Sequence, residues 1–298
     1  MWIIFALIPP ILNAIDSLGE KFLSDKHIKN PIVIILNEGW MYLLFSLGIL
    51  CFHHISTLSI VQIVSLLLSG MTFVFYLIPY FKALQNEDSS RVIPLFQFIP
   101  LFVLLFSFLF LNEAMTQHEL LGFAFTFVGA FILTLKKGES KIFRPRKALW
   151  YMLASSVLYS FAPILFKYTV VHTDFWTAFF YQALGGGIAA LSLLTIPSYR
   201  KSFMNEGLHL PLPIWGIMSL NQTLAIIAEL SSSFAFSLAP VALVSVLTGT
   251  QSFFVLLFAL ILSVKFPHIL KEDIKKNTLF LKLISIITIF VGLLFISF

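Results

Sequence analysis

Charge is scarce in this 298-residue chain: Asp, Glu, Lys and Arg make up 11% of it, against about 25% in a soluble domain. Mean hydropathy is +0.96, and 59% of the residues are apolar. A water-soluble globule is therefore excluded. So is intrinsic disorder, which needs low hydrophobicity and high net charge. Cysteine is nearly absent: Cys51 stands alone, which rules out an internal disulfide and any multi-cysteine metal or redox motif. The seven histidines (27, 53, 54, 118, 172, 209 and 268) fall at or beyond the ends of apolar runs. No HExxH or GxSxG pattern and no glycine-lysine phosphate loop occurs, so neither an enzyme nor a resident metal or cofactor is expected.

What fills the chain is one long apolar run after another, the mark of an all-α integral membrane protein. Unbroken runs favour helices over barrel strands, which would alternate and be about half as long. The runs predict ten transmembrane spans: 2–22, 32–52, 58–81, 91–111, 119–135, 148–170, 174–196, 213–236, 240–264 and 279–297. Span 1 lacks a basic leader and a small-residue cleavage site, so it reads as a retained span. A basic linker, 136–147, divides the chain. Prolines 9, 10, 79, 94, 100 and 163 lie within spans. Each reads as a simple bend or as a hinge beside a cavity.

An internal repeat is visible. Phe102-Val103-Leu104-Leu105-Phe106 returns as Phe254-Val255-Leu256-Leu257-Phe258, and Phe127-Val128-Gly129 as Phe290-Val291-Gly292. Ala83 pairs with Ala235, and Lys21 with Lys167. Two five-span halves follow, 1–140 and 147–298, forming one integrated bundle. Because five is odd, the second half enters the membrane from the opposite side, giving inverted repeats. That architecture places a substrate site near the midplane, between the halves.

The segments Tyr80-Phe81-Lys82-Ala83-Leu84, Arg91-Val92-Ile93-Pro94-Leu95, Pro100-Leu101-Phe102-Val103, Leu111-Asn112-Glu113-Ala114-Met115-Thr116 and Val128-Gly129-Ala130 resemble one half of an EamA-type transporter of the drug/metabolite transporter superfamily. Ala239-Pro240-Val241-Ala242-Leu243-Val244-Ser245 and Gly249-Thr250-Gln251 carry a weaker resemblance in the second half. No counterpart of Leu111-Asn112-Glu113 follows span 9, where Ser263-Val264-Lys265-Phe266-Pro267 stands instead. The resemblance implies a ten-helix bundle of two inverted repeats, working by alternating access around a central cavity. It implies no particular substrate, since such families handle amino acids, nucleotide derivatives, sugars and drugs.

The net charge of +5 is distributed with order. Of 19 Lys and Arg, all but Lys167 fall in the odd-numbered connections or the first turn of span 10. The positive-inside rule then predicts those connections in the cytoplasm and both termini on the far side of a cell membrane. The basic residues mark topology, and no nucleic-acid partner is expected. The expected partners are the lipid bilayer and a small-molecule substrate, with a monomer or a homodimer both open.

Ionisable residues inside a span are costly and tend to face the bundle interior. Asp16 in span 1, Glu38 beside Asn37 in span 2 and Glu229 in span 8 are the leading candidates for a substrate cavity. Tyr76 and Tyr80 continue a polar line, Gln62-Ser65-Ser69-Thr72, along span 3. Gln97, Gln182, Asn221, Gln222 and Gln251 either line the cavity or bridge helices. Glu20 reads as an interfacial partner of Lys21. Lys167 reads as a snorkelling side chain or as a cation for an anionic substrate group. Gly185-Gly186-Gly187 suits close helix packing first, and His53-His54 a solvated interface. The leading functional expectation is a secondary transporter of a small polar or amphipathic metabolite. A non-transporting membrane scaffold is the alternative, and a membrane-embedded enzyme is less favoured.

Overall fold

A computed structural model describes residues 1–86, 92, 95–96, 98–134, 147–251, 253–255, 257–258, 261, 284, 287–288, 291–292 and 294–295. Among them there are helices and no strands. The helices are α1 (Trp2–Lys26), α2 (Ile32–Ile49), α3 (Ile60–Phe75), α4 (Leu77–Asn86), α5 (Phe98–Leu111), α6 (Gln117–Thr134), α7 (Lys147–Val170), α8 (Phe175–Leu193), α9 (Pro197–Asn205), α10 (Leu212–Leu238) and α11 (Val241–Thr248). Trp2–Ser24, Ile32–Ile49, Ile60–Gln85 and Lys147–Val170 are each long and apolar enough to cross a membrane. Phe175–Leu193 and Pro197–His209, bent by 93° at their junction, make a fifth such stretch only when the pair is counted as one span. Outer faces carry exposed apolar side chains such as Ile60 and Phe108, which lipid rather than water suits.

Among the described residues helices fall within expected spans 1–9, but only four or five stretches are long and apolar enough to cross, α5 and α11 are shorter than the spans expected there, and two further differences appear. Span 3 breaks at Tyr76 into α3 and α4. Pro79 is the cause: its ring crowds the carbonyl four residues back, at Phe75, and it offers no N–H. After span 7 an extra helix, α9, begins with a proline at its first position. That proline favours a helix start, but α9 is short and polar, so no apolar run announces it. Most of span 10 lies outside the described residues, as do the basic linker and Gln97.

Other prolines leave their helices whole because neighbours supply what they remove. Pro9 cannot donate to Phe5, and the hydroxyl of Ser231 on α10 donates to that carbonyl instead at 2.8 Å. α1 therefore runs unbroken through Pro9 and Pro10. Short connections at one end of the bundle start with side-chain caps. Ser59 and Gln62 form a capping box on α3, Thr116 and Glu119 exchange bonds at 2.8 and 3.3 Å ahead of α6, and Asp174 accepts from Thr177 N at 2.9 Å on α8.

α1 packs mainly on α10, while α3 and α4 pack on α7. α2 and α3 both lie against α8. Backbones meet closely where α3 crosses α8. A Cβ on Gly70 would run into the Gln182 carbonyl, and one on Gly185 into the Leu67 carbonyl. The glycine run of α8 thus has the packing role expected of it. Loop partners sort by end. Glu206 accepts from Lys29 N and from Asn30 N, and Asn30 Nδ2 donates to Ser202 Oγ at 2.8 Å. At the other end Ser56 N donates to Thr177 Oγ1 at 3.0 Å, and Ser56 Oγ to Asp174 at 2.9 Å.

Candidate functional site

Where the helices diverge they leave a cavity of about 110 Å³. α1 contributes Asn13, Asp16, Ser17 and Glu20, and α2 contributes Glu38 and Tyr42. Phe73, Tyr76 and Tyr80 come from the α3–α4 stretch, and Tyr159 from α7. Gln222, Ala225 and Glu229 come from α10, while Thr248, Gly249 and Gln251 close the ring from α11 and its end. Phe73, Tyr76 and Tyr80 follow one another at helical spacing, which puts all three on the face toward the wall.

Of the expected site residues, Asp16, Glu38, Tyr76, Tyr80, Gln222, Glu229 and Gln251 meet in this cavity. Asn37, Gln182, Asn221 and Lys167 stand off its wall. Asn221 instead fixes Asp16: its Nδ2 donates to the Asp16 carbonyl at 3.1 Å and also to the Asp16 carboxylate. Gln182 is 2% exposed and bridges α3 and α10. Its Nε2 donates to Ser69 Oγ at 3.0 Å, and its Oε1 accepts from Ser233 Oγ at 3.1 Å. Asn37 is buried in α2. Gln251 both lines the cavity and bridges, donating to the Asn13 carbonyl at 3.1 Å and to Ser17 Oγ at 3.0 Å.

The polar line of span 3 divides. Ser65 and Ser69 donate to the α7 carbonyls of Leu165 and Ala162 at 3.1 and 2.8 Å. Thr72 donates to Ser69 O in its own helix, and Gln62 serves the capping box. Only the two tyrosines reach the cavity. Glu20, expected at the interface with Lys21, lines the cavity as well. The signal was present: Glu20 lies four residues beyond Asp16, hence on the same helix face. Tyr42 and Tyr159 were missed because a tyrosine in an aromatic-rich apolar run carries no distinguishing pattern.

Lys167 is neither snorkelling nor in the cavity. Its Nζ donates to the carbonyls of Phe236 at 2.8 Å and Ala239 at 3.1 Å. Pro240 explains the first bond, since residue 240 would otherwise donate to Phe236. On the other side of the same break, Glu113 Oε2 accepts from Val241 N at 2.8 Å, at the start of α11. Burial pushes the Glu113 carboxyl above its ordinary range, opposed by that bond and by the Lys167 charge. Asn112 makes the reach possible. It adopts φ 53°, a left-handed turn that asparagine tolerates, and Glu113 N then donates back to Ser107 O at 3.3 Å. At the end of the bundle, His53 Nε2 pairs with Asp174 at 2.7 Å. The bonds from Thr177 and Ser56 and the His53 pairing hold the Asp174 carboxyl down at about 2, against a burial cost.

Among the described residues no group of three or more His, Cys, Asp or Glu is placed to hold a metal ion. No curated protein matches the chain. A solved structure described only as a protein is 13% identical, covers 98% of this chain and 94% of its own, and superposes with a TM-score of 0.69. It establishes a shared fold. The EamA-like transporter family model matches residues 1–135, the segment that contributes the acids of α1 and α2, the α3–α4 stretch and the Asn112–Glu113 turn. Residues 1–135 thus match the EamA-like transporter family, a multi-pass membrane transporter family of the drug/metabolite type.

Proposed function

We propose that the chain is a secondary transporter that moves a small polar or amphipathic metabolite by alternating access through this cavity. The observation that carries the reading is that both parts of the chain build the one wall. Asp16, Glu38, Tyr76 and Tyr80 come from before the basic linker, and Tyr159, Gln222, Glu229 and Gln251 from after it. A site shared in this way changes shape when the two parts move against each other.

The halves are 1–140 and 147–298, two inverted five-helix repeats making ten spans. The packing supports this. In a two-fold arrangement each helix of one half corresponds to a helix of the other, so contacts should come in mirrored pairs. α1 on α10 is mirrored by α7 on α3–α4, and α5 on α7 by α11 on α1. The loop bonds are consistent too: the connections after α1 and α8 meet at one end, and those after α2 and α7 at the other. The basic connections face the cytoplasm and both termini lie outside. A reporter that works only in the cytoplasm is then silent when fused to Phe298.

Flux decides the function. Cells with and without the protein are compared by metabolite profiling, and the metabolites that change are tested for movement in vesicles holding the full chain. Protein-dependent flux, altered by Asp16→Asn, Glu38→Gln and Glu229→Gln, is the expected result. No protein-dependent flux of any metabolite overturns the transporter reading, and flux untouched by all three variants overturns the site.

A further inference from the structure

The cavity wall has a chemical bias. It holds four carboxyl side chains, Asp16, Glu20, Glu38 and Glu229, and no Lys, Arg or His among its described lining. Yet the acids do not gather on one point as metal ligands. Much of the remaining wall is aromatic. Tyr42, Phe73, Tyr159, Tyr76, Phe96 and Tyr80 follow one another with ring centroids 6.4, 5.3, 5.0, 6.3 and 5.0 Å apart. Ring faces attract cations, most strongly where water is excluded. A third feature adjoins one of the acids. Gln222 is 5% exposed and lines the cavity beside Glu38; its Nε2 lies toward the Glu38 carboxyl without completing a hydrogen bond. A buried donor left open costs free energy until an acceptor arrives.

These features select a ligand. Scattered carboxylates and a run of rings suit an ammonium group larger than a bare ion. The open amide suits an oxygen acceptor on the same molecule. A carboxylate on the ligand would find no positive partner and four acids nearby, so zwitterions and anions are rejected. We propose that the cavity takes a small organic ammonium compound carrying a neutral oxygen, of the amino-alcohol class, in preference to amino acids and anions. This rests on the transporter reading for its transport step, and not for its binding step.

The probes are leucinol, leucine and N-acetylleucine, which share a side chain and carry net charges of +1, 0 and −1. The purified full chain is titrated with each while its thermal unfolding is followed. Leucinol should bind at least about tenfold more tightly than leucine, and N-acetylleucine more weakly still. Glu38→Gln should weaken leucinol. Gln222→Leu removes the amide and keeps all four acids: it should weaken leucinol by a clearly larger factor than isopentylamine, which lacks the hydroxyl. Leucine or N-acetylleucine binding as well as leucinol overturns the proposal, and so does absence of binding by all three. In proteoliposomes the two readings separate. Leucinol that binds but does not cross sinks the transport reading alone. Leucine that crosses while leucinol does not sinks this proposal alone.

Discussion

Lys167 and Glu113 close the break between α10 and α11 from opposite sides. The lysine takes the carbonyls of Phe236 and Ala239, and the glutamate takes the N–H of Val241. Each charge matches the helix end it meets, a cation at carbonyls and an anion at an N-terminus. The cavity residues of α1 and α2, from Asn13 to Glu20 and from Glu38 to Tyr42, lie toward the connection between those two helices. The clamp sits at the opposite end. Lys167→Met should therefore leave two carbonyls unpaired and lower stability by about 1–3 kcal/mol. Glu113→Gln, which keeps an acceptor for Val241, should cost less. Unfolding of both variants in detergent checks the order, and equal losses would contradict it.

Ser231 and Phe5 offer a sharper test, because the reason for their bond lies in a third residue. Pro9 denies Phe5 its helical donor, and Ser231 replaces it. Ser231→Ala should cost about 0.6–1.7 kcal/mol. In a Pro9→Ala background an N–H returns at position 9, and the same change should cost little. A double-mutant cycle on thermal stability measures the coupling, and strict additivity would refute the account.

That pair also shows what a sequence discloses and what it conceals. Pro9 and its consequence for Phe5 follow from chemistry within one helix, so the need for an outside donor was readable. That the donor is Ser231, 226 residues away, depends on which helices touch. The same division holds at the site. Asp16, Glu38 and Glu229 stand out because a carboxyl in an apolar run is rare and costly. Lys167 stood out equally, but its carbonyl partners are invisible in composition, so its role at the α10–α11 break was not foreseen. Glu113 was noticed only as part of a family-like motif. Its use depends on the left-handed turn at Asn112 and on the nearby start of α11. The ring series through Tyr42 and Tyr159 is hidden for a different reason: with 34 Phe in the chain, aromaticity alone distinguishes nothing.

Gly70 and Gly185 set the distance between α3 and α8. A methyl group at Gly70 overlaps backbone at Gln182, which cannot move without shifting the helix. Gly70→Ala should cost about 1–3 kcal/mol and should weaken packing on α8, although alanine is the better helix former. Unfolding curves compared with Gly48→Ala, where the added Cβ meets nothing within 4 Å, supply the control. Similar stability for both variants would contradict the close approach.

Asp174 gives the bundle end an acid-sensitive tether. Its carboxyl lies at about 2 in the fold, below the ordinary 3.8. A depressed acid stabilises the fold above its unfolded value, and that contribution is lost as pH falls through the folded one. The stabilisation should therefore be complete above about pH 4 and fade toward pH 2. Asp174→Asn should remove this window, so the stability gap between the two proteins narrows as pH falls. Unfolding measured from pH 6 to pH 2 checks it, and a constant gap would exclude the tether as its source.

Glu229 is tied into the buried chain that runs through Ser233, Gln182 and Ser69. The chain has a direction. Ser69 donates to Ala162 O, so it accepts from Gln182 Nε2, and Gln182 therefore turns its carbonyl oxygen toward Ser233. Ser233 has a single proton but two acceptors, that oxygen at 3.1 Å and Glu229 Oε1 at 2.9 Å. Where the carboxyl is ionised, an amide at position 229 would supply the missing donor. Glu229→Gln should then match or exceed the native stability, while Glu229→Leu, which can neither donate nor accept, should lose about 1 kcal/mol or more. Ser233→Ala should abolish the difference between the glutamine variant and the native protein. If Glu229→Gln instead unfolds more easily than Glu229→Leu, the direction assigned to the chain is wrong.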